Sequence, residues 1–390
     1  MSETVELKNR PKIDARQQVA AMKKKGIKFE LSSESAAEKI LRERNYYFKL
    51  KAYAKLFDRY TNANSQKLGQ YINLDFEYLV ELSRLDKALR FTAMETALDI
   101  EHFMKVQMNA AMMDDAACDA YSIVSQFLEH DAQMKLSRVA QKRTCNETIW
   151  TLTQLRDHLT EIIDAHDDES QSRLIRELDA AKDTIDQELD NVDLHHIEKS
   201  ISRLSNSQYS RKLANKYGRV GQMAYWHFME LATFGDIIGL YKYYFIERGR
   251  SQDATVKRVK QLLFPIRMLR NAAAHNSCLL NTLRDKLSKP LGSISKTLID
   301  SYRIDTELVQ LTKRIPLIHD FSALLICYDI LVKSERSRNV CSERLAQLER
   351  RIAKNLHYFS KQSEIYKSLK MLLNLLSVFA ERFGSSQQIS

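Results

Sequence analysis

Residues 74–113 read LDFEYLVELSRLDKALRFTAMETALDIEHFMKVQMNAAMM. Phe76, Leu79, Val80, Leu82, Leu85, Leu89, Met94, Leu98 and Phe103 recur at helical spacing, with charged side chains between them. That spacing gathers the apolar set on one face of an α-helix. Neither glycine nor proline interrupts the run, so it predicts one long helix with a buried face.

The same shortage of breakers extends outward through the chain. Its 390 residues hold 9 glycines and 4 prolines, about 3 % together against roughly 12 % in an average protein. No proline stands between Pro11 and Pro265. Sandwiches, barrels and doubly wound α/β folds need frequent turns or a glycine-rich loop, and this sequence supplies neither. The expected fold class is therefore all-α, and an apolar content of 44 % provides ample core.

On the N-terminal side, residues 12–58 predict two helices, the second carrying Ala36, Ile40, Leu41, Tyr47, Leu50, Tyr53 and Phe57 on its apolar face. On the C-terminal side, Leu152, Leu155, Leu159 and Ile162 form one stripe, and Leu174, Leu178, Ala181, Ile185 and Leu189 form another. The polar stretch between them predicts an antiparallel helical hairpin. Residues 222–247 predict one or two buried helices, with Gly235 and Gly239 allowing a close approach or a bend. The charged stretch ERGRSQDATVKRVK (247–260) reads as a connection, and Pro265 as part of the first turn of the next helix. Leu345, Leu348, Ile352, Leu356 and Phe359 stripe an amphipathic helix, and a last helix is expected over about 362–382. The chain thus divides into three regions: 1–113, an acidic insertion over 114–205, and 206–390.

Charge is unevenly spread. The formal net charge is +10, yet residues 111–200 hold 9 basic against 20 acidic side chains, and residues 201–300 hold 17 against 6. A basic body opposed by an acidic arm suits a polyanionic partner such as nucleic acid, although a solvated helical surface gives the same balance. Five cysteines, with no C-x-x-C, suit a reduced compartment and neither a disulfide framework nor a structural zinc site. The N-terminal MSETVELKNRPKID has no apolar signal core, and no run of 18 apolar residues occurs, so a cytoplasmic protein that spans no membrane is expected.

Walker, G-x-G-x-x-G, G-x-S-x-G and H-E-x-x-H signatures are missing. His195 and His196, beside Asp193 and Glu198, point to different helix faces and make a poor metal site. Trp226 and the tyrosines at 241–244 could stack bases, but a helical core explains them more simply. The segment Arg267-Met-Leu-Arg270-Asn271-Ala-Ala-Ala-His275-Asn276-Ser277 stands apart. Asn271 and His275, four apart, share a helix face, whereas Arg270 lies roughly 140° round the axis from His275. A histidine beside arginines suits RNA cleavage without a metal: the imidazole moves a proton at a 2′-hydroxyl or a leaving 5′-oxygen, and the guanidinium holds the phosphate oxygens.

These residues resemble the abortive-infection (Abi, AbiD/AbiF-like) family, whose core carries a HEPN ribonuclease motif. R-N-A-A-A-H at 270–275 is similar to the family's R-N-x-x-x-H, and Asn281 falls where that block ends in asparagine. Trp226 to Gly235 resembles a W-x-x-x-E-x-x-x-F-G block. Leu50 to Tyr60 and Phe76 to Arg90 resemble the entry helices. Asn276, Cys278 and Leu280 depart from the histidine, arginine and tryptophan common at those places.

The resemblance implies a HEPN-like multi-helix bundle and an endoribonuclease that needs no metal or other cofactor. It implies a homodimer in which Arg270 and His275 face a second copy, with products ending in a 2′,3′-cyclic phosphate and a 5′-hydroxyl. Arg270 would stabilise the phosphate, His275 would transfer the proton, and Asn271 would orient the histidine or the scissile phosphate. Lys257, Arg258, Lys260, Arg267 and Asn276 are the expected RNA contacts. Control by an antitoxin, a phage trigger or a bound RNA is implied as well. The rival expectation is a non-catalytic RNA-binding or regulatory helical scaffold of a defence or toxin–antitoxin system.

Overall fold

The computed structural model describes residues 12–62, 65–138, 141, 195–250, 253–361 and 363–384, and among them the fold is all-α. Two isolated β-bridges, Lys28 to Asp75 and Arg59 to Tyr71, are the only strand-like pairings in the described residues. The paired leucine stripes of the predicted acidic hairpin lie outside them. The chain divides into two units, one built from Met1–Phe103 with Asp253–Ser390 and one from Met104–Gln252.

The helices of seven or more residues in the first unit are α1 (Ala15–Lys24), α2 (Glu34–Glu43), α3 (Tyr47–Ala54), α4 (Phe76–Asp114), α5 (Ala254–Ala274), α6 (Gly292–Tyr302), α7 (Pro316–Leu331), α8 (Glu335–Asn355) and α9 (Glu364–Gly384), and a single turn, Thr306–Val309, lies between α6 and α7. α4 is the long helix expected from its unbroken run, although Leu98, expected on the buried face, is exposed; its last residues, from Met104, belong to the second unit. Asp75 caps its start: one carboxylate oxygen accepts from Glu77 N–H at 2.9 Å and the other from Glu30 N–H at 2.9 Å. The preceding chain is drawn close to the end of α1, where Tyr71 N–H donates to Lys25 O at 2.8 Å. Gly26 permits this approach, since its φ is +79° and a Cβ there would stand 2.8 Å from Gln70 Cβ.

The structure also corrects the helix boundaries expected from the sequence. The predicted second N-terminal helix is two helices, broken at Arg44–Tyr46. Arg44 and Asn45 both send their backbone N–H to Ile40 O, and Asn45 Nδ2 donates to Ser83 Oγ at 2.8 Å, so side-chain bonding turns the chain out of the helix. Pro265 does not open a helix either; it lies inside α5, which starts at Ala254 on an Asp253 cap. The stretch 254–260, read as a connection, is thus helical. Burial of Val256, Val259, Leu262, Leu263, Ile266 and Leu269 outweighs the hydrogen bond that Pro265 cannot donate.

The core of this unit is α7, buried almost all round from Leu317 to Leu331 and packed along α5. α8 and α9 pair beside it, and Leu345, Leu348 and Ile352 face inward as their stripe predicts. Asp329 of α7 ties them together. It accepts from Tyr302 OH at 2.9 Å, from Arg338 at 2.7 Å and from Arg382 Nε at 2.7 Å. Burial alone would raise its carboxyl, but these donors outweigh it and hold the pKa below the ordinary aspartate value.

In the second unit, residues 122–138 are helical, followed after the undescribed stretch by His196–Arg203, Arg211–Tyr217, Tyr225–Leu231 and Phe234–Lys242. Gly239 lets Phe127 approach, since a Cβ there would meet its ring at 2.9 Å. Tyr241 and Tyr244 are core residues that donate to Gln107 Oε1 at 3.2 Å and to Ala111 O at 2.9 Å. Trp226, read from the sequence as a core residue, is instead exposed and edge-on to Tyr225.

Candidate functional site at the end of α5

The sequence R-N-A-A-A-H occupies the last turn of α5 and its cap. His275 is the C-cap residue, solvent-exposed, and its N–H still donates to Asn271 O at 2.9 Å. Asn276 then adopts the left-handed conformation, with φ +58°. Ser277 N–H reaches Ala272 O at 3.0 Å and Asn276 N–H reaches Ala273 O at 3.2 Å, a Schellman closure. Asparagine tolerates that backbone better than any residue but glycine, and this is a structural reason for Asn276. Arg270 is half-buried, and its Nη1 donates to Asn271 Oδ1 at 3.2 Å, so Asn271 fixes the guanidinium next to it.

The helix end is held from α3 and α4. Asp86 is fully buried and Arg90 is 5 % exposed; the two form an i,i+4 ion pair within α4. Asp86 Oδ1 accepts from Leu280 N–H at 2.8 Å, and its Oδ2 accepts from Tyr53 OH at 2.9 Å. Arg90 Nη1 also donates to Ser277 O at 3.3 Å. Burial pushes the Asp86 carboxyl above the usual range, while the Leu280 N–H, Arg90 and Tyr53 pull it back. Lys49 of α3, 7 % exposed, donates to Asn276 Oδ1 at 2.9 Å. Its burial, and then the charge of Arg90, lowers its pKa from the ordinary lysine value. Beyond Leu280, Arg284 donates to Leu56 O at 3.0 Å and to Asp58 at 2.7 Å. The segment after His275 is thus fastened to elements from the other end of the chain.

The structure gathers some of the expected site residues and separates others. Arg270, Asn271, His275 and Asn276 lie together, and Arg267 sits one turn before Arg270, its guanidinium 5.7 Å from the Phe264 ring. Lys257, Arg258 and Lys260 are at the opposite end of α5, on the order of 22–27 Å from His275 at 1.5 Å per residue. Arg258 is engaged there with Thr297 Oγ1 at 2.9 Å. Leu280, where the resemblance led to an aromatic residue, is buried and supplies the N–H for Asp86. Asp86, Lys49 and their bonds were not anticipated. Their signal was present in α4, where Asp86 and Arg90, four apart, interrupt a face otherwise made of Leu82, Leu85 and Leu89.

No group of three or more metal-ligating side chains occurs among the described residues. His195 bonds Glu198 at 2.8 Å, and His196 Nε2 is 3.6 Å from Asp236. Cys118, Cys278, Cys327 and Cys341 are free thiols. No described helix is long and apolar enough to cross a membrane.

Compared with known proteins, the chain matches the family model described as Abi-like protein over residues 39–281, a span that holds α3, α4 and all of the motif through Asn281. No curated protein and no solved structure matches it. A family match over more than half of the chain, enclosing the fastened helix end, makes this chain a member of the Abi-like family and so, at that coarse level, a protein of abortive infection and phage defence.

Proposed function

We propose that the chain is an abortive-infection effector that cuts RNA as a HEPN-type endoribonuclease. The observation that carries this is the end of α5: His275 is exposed, Arg270 and Asn271 stand one turn behind it, and Asp86, Arg90 and Lys49 brace the segment from Asn276 to Leu280. Proton transfer and phosphate binding both gain from groups whose geometry is set before the substrate arrives.

In the proposed step, an imidazole nitrogen of His275 takes the proton of a ribose 2′-hydroxyl. The 2′-oxygen bonds to the neighbouring phosphorus while the bond from phosphorus to the 5′-oxygen breaks. The leaving oxygen takes a proton from the histidine of a second copy of this chain. One strand then ends in a 2′,3′-cyclic phosphate and the other in a 5′-hydroxyl, with nothing oxidised or reduced. Arg270 holds the non-bridging oxygens as charge builds on them, and Asn271 keeps Arg270 aimed.

The test is cleavage of RNA in EDTA, with end-group analysis of the products. Wild type should cut, and His275→Ala should lose about 100-fold or more, the scale of general acid–base catalysis. Arg270→Ala should lose a similar amount. Wild type that binds RNA but leaves it intact would end this reading in favour of the non-catalytic scaffold.

A further inference from the structure

The break between α2 and α3 opens a cleft of about 670 Å³ in the first unit, walled by α2, α3, α4 and the end of α5. Ile40, Val80, Met94, Ala273 and Ala274 give it an apolar lining. Two aromatic rings stand at its mouth, Tyr46 and Phe91, each more than half exposed. Every charged side chain lining it is a cation, and none is a carboxylate. Arg84 and Arg90 are neutralised by Glu81 and Asp86. Arg44, Lys49 and Lys87 form no ion pair among the described residues, and Lys87 Nζ lies 5.6 Å from the Phe91 ring centroid. Asn45, Ser83 and Asn276 add amide and hydroxyl groups to the walls.

We infer that this cleft binds one nucleotide unit, with its phosphate on Arg44, Lys49 and Lys87 and its base against the aromatic rings and the apolar lining. Three cations without an ion pair, brought to one cleft by the end of α2, α3 and α4, favour an anion. An apolar lining beside exposed rings favours a flat, weakly polar partner, and amides in the lining match the edges of a base. The volume suits a single small ligand and is too small for a duplex. Lys49 keeps two of its three donors beyond the bond to Asn276, so it can hold the motif's helix end and a phosphate oxygen together. An occupied cleft therefore bears directly on the residue after His275. The nucleotide is either free or part of a single strand, and the inference stands whether or not the chain cuts RNA.

The test uses the full chain and two probes: adenosine 5′-monophosphate, and a fluorescent 2′-O-methyl heptanucleotide, which has no 2′-hydroxyl and cannot be cut. Binding of either is expected, read by calorimetry and by fluorescence polarisation. Arg44→Glu with Lys87→Glu should weaken it about tenfold or more, since both side chains contact phosphate. Both are exposed, so the fold should survive, as a thermal melt would verify. Lys313→Glu with Lys354→Glu makes the same charge change on exposed residues that do not line the cleft, and should cost less than threefold. Competition between the probes assigns the site to a free nucleotide, and binding of the heptamer alone assigns it to a strand. The inference is overturned if neither probe binds at millimolar concentration, if both charge-reversed pairs weaken binding equally, or if an oligoglutamate peptide competes as well as the nucleotide. Absence of cleavage with ordinary RNA, while the heptamer still binds, would count against the nuclease alone.

Discussion

Replacing Asp86 by leucine removes the acceptor for three groups at once, and the size of the effect depends on the groups left behind. Arg90 would remain buried at 5 % exposure with its carboxylate partner gone. Stranding one half of a buried ion pair costs about 3–5 kcal/mol. Leu280 N–H and Tyr53 OH also lose their acceptor, at about 1–3 kcal/mol each where no water replaces it. These costs overlap, because Arg90 keeps Ser277 O and the segment after α5 can shift toward solvent. A net loss of about 3 kcal/mol in the local attachment of residues 276–284 is expected, which is roughly a hundredfold more opening at 1.36 kcal/mol per tenfold.

Native-state hydrogen exchange reads this locally: peptides covering 276–284 should lose protection about a hundredfold, while peptides from α9 change little. Asp86→Leu combined with Arg90→Met should recover about 2 kcal/mol of the loss, since no charge is then stranded. Exchange over 276–284 altered less than threefold by Asp86→Leu would refute the reasoning. So would a double variant as damaged as the two single ones added together.

The same kind of contact governs two further outcomes. Asn276→Gly keeps the φ of +58° but removes the acceptor of the buried Lys49 ammonium, so it should lose about 1–2 kcal/mol in thermal unfolding, whereas Asn276→Val, strained at that φ as well, should lose about 1–3 kcal/mol more. Asp329→Asn should destabilise the first unit, and the dependence on pH has a definite sign. The folded pKa of Asp329 lies below the ordinary aspartate value of 3.8, so its contribution is fully present above pH 3.8 and fades as the pH falls through the lower folded value. Denaturant midpoints of wild type and variant should therefore converge below that range, and a gap that persisted or widened in acid would contradict the assignment.

The helices were legible wherever one apolar face ran without a breaker, as in α4, α8 and α9. Legibility failed where side chains competed with the backbone. Asn45 ends α2 through a bond to Ser83, 38 residues away, and no local pattern announces it. Pro265 misled for the opposite reason, since the burial of its neighbours against α7 overrides a strong local signal. The R-x4-H spacing could be read directly, but its support could not. Lys49, Tyr53 and Asp86 reach the motif through contacts 194 to 227 residues apart in the chain, or through one another. The unpaired cations of the cleft likewise become a set only once α2, α3 and α4 are folded together.

That separation in sequence sets a delay in synthesis. The bond between Asp86 and Leu280 spans 194 residues, which a ribosome adds in about 10–40 s at 5–20 residues per second. Until then a nascent chain carries the cations of α3 and α4 without His275. Arg90 and Asp86, one turn apart on a single helix, can neutralise each other throughout the wait. A chain cut short before residue 275 is born without the histidine, and one that is finished acquires the histidine and its anchorage almost together.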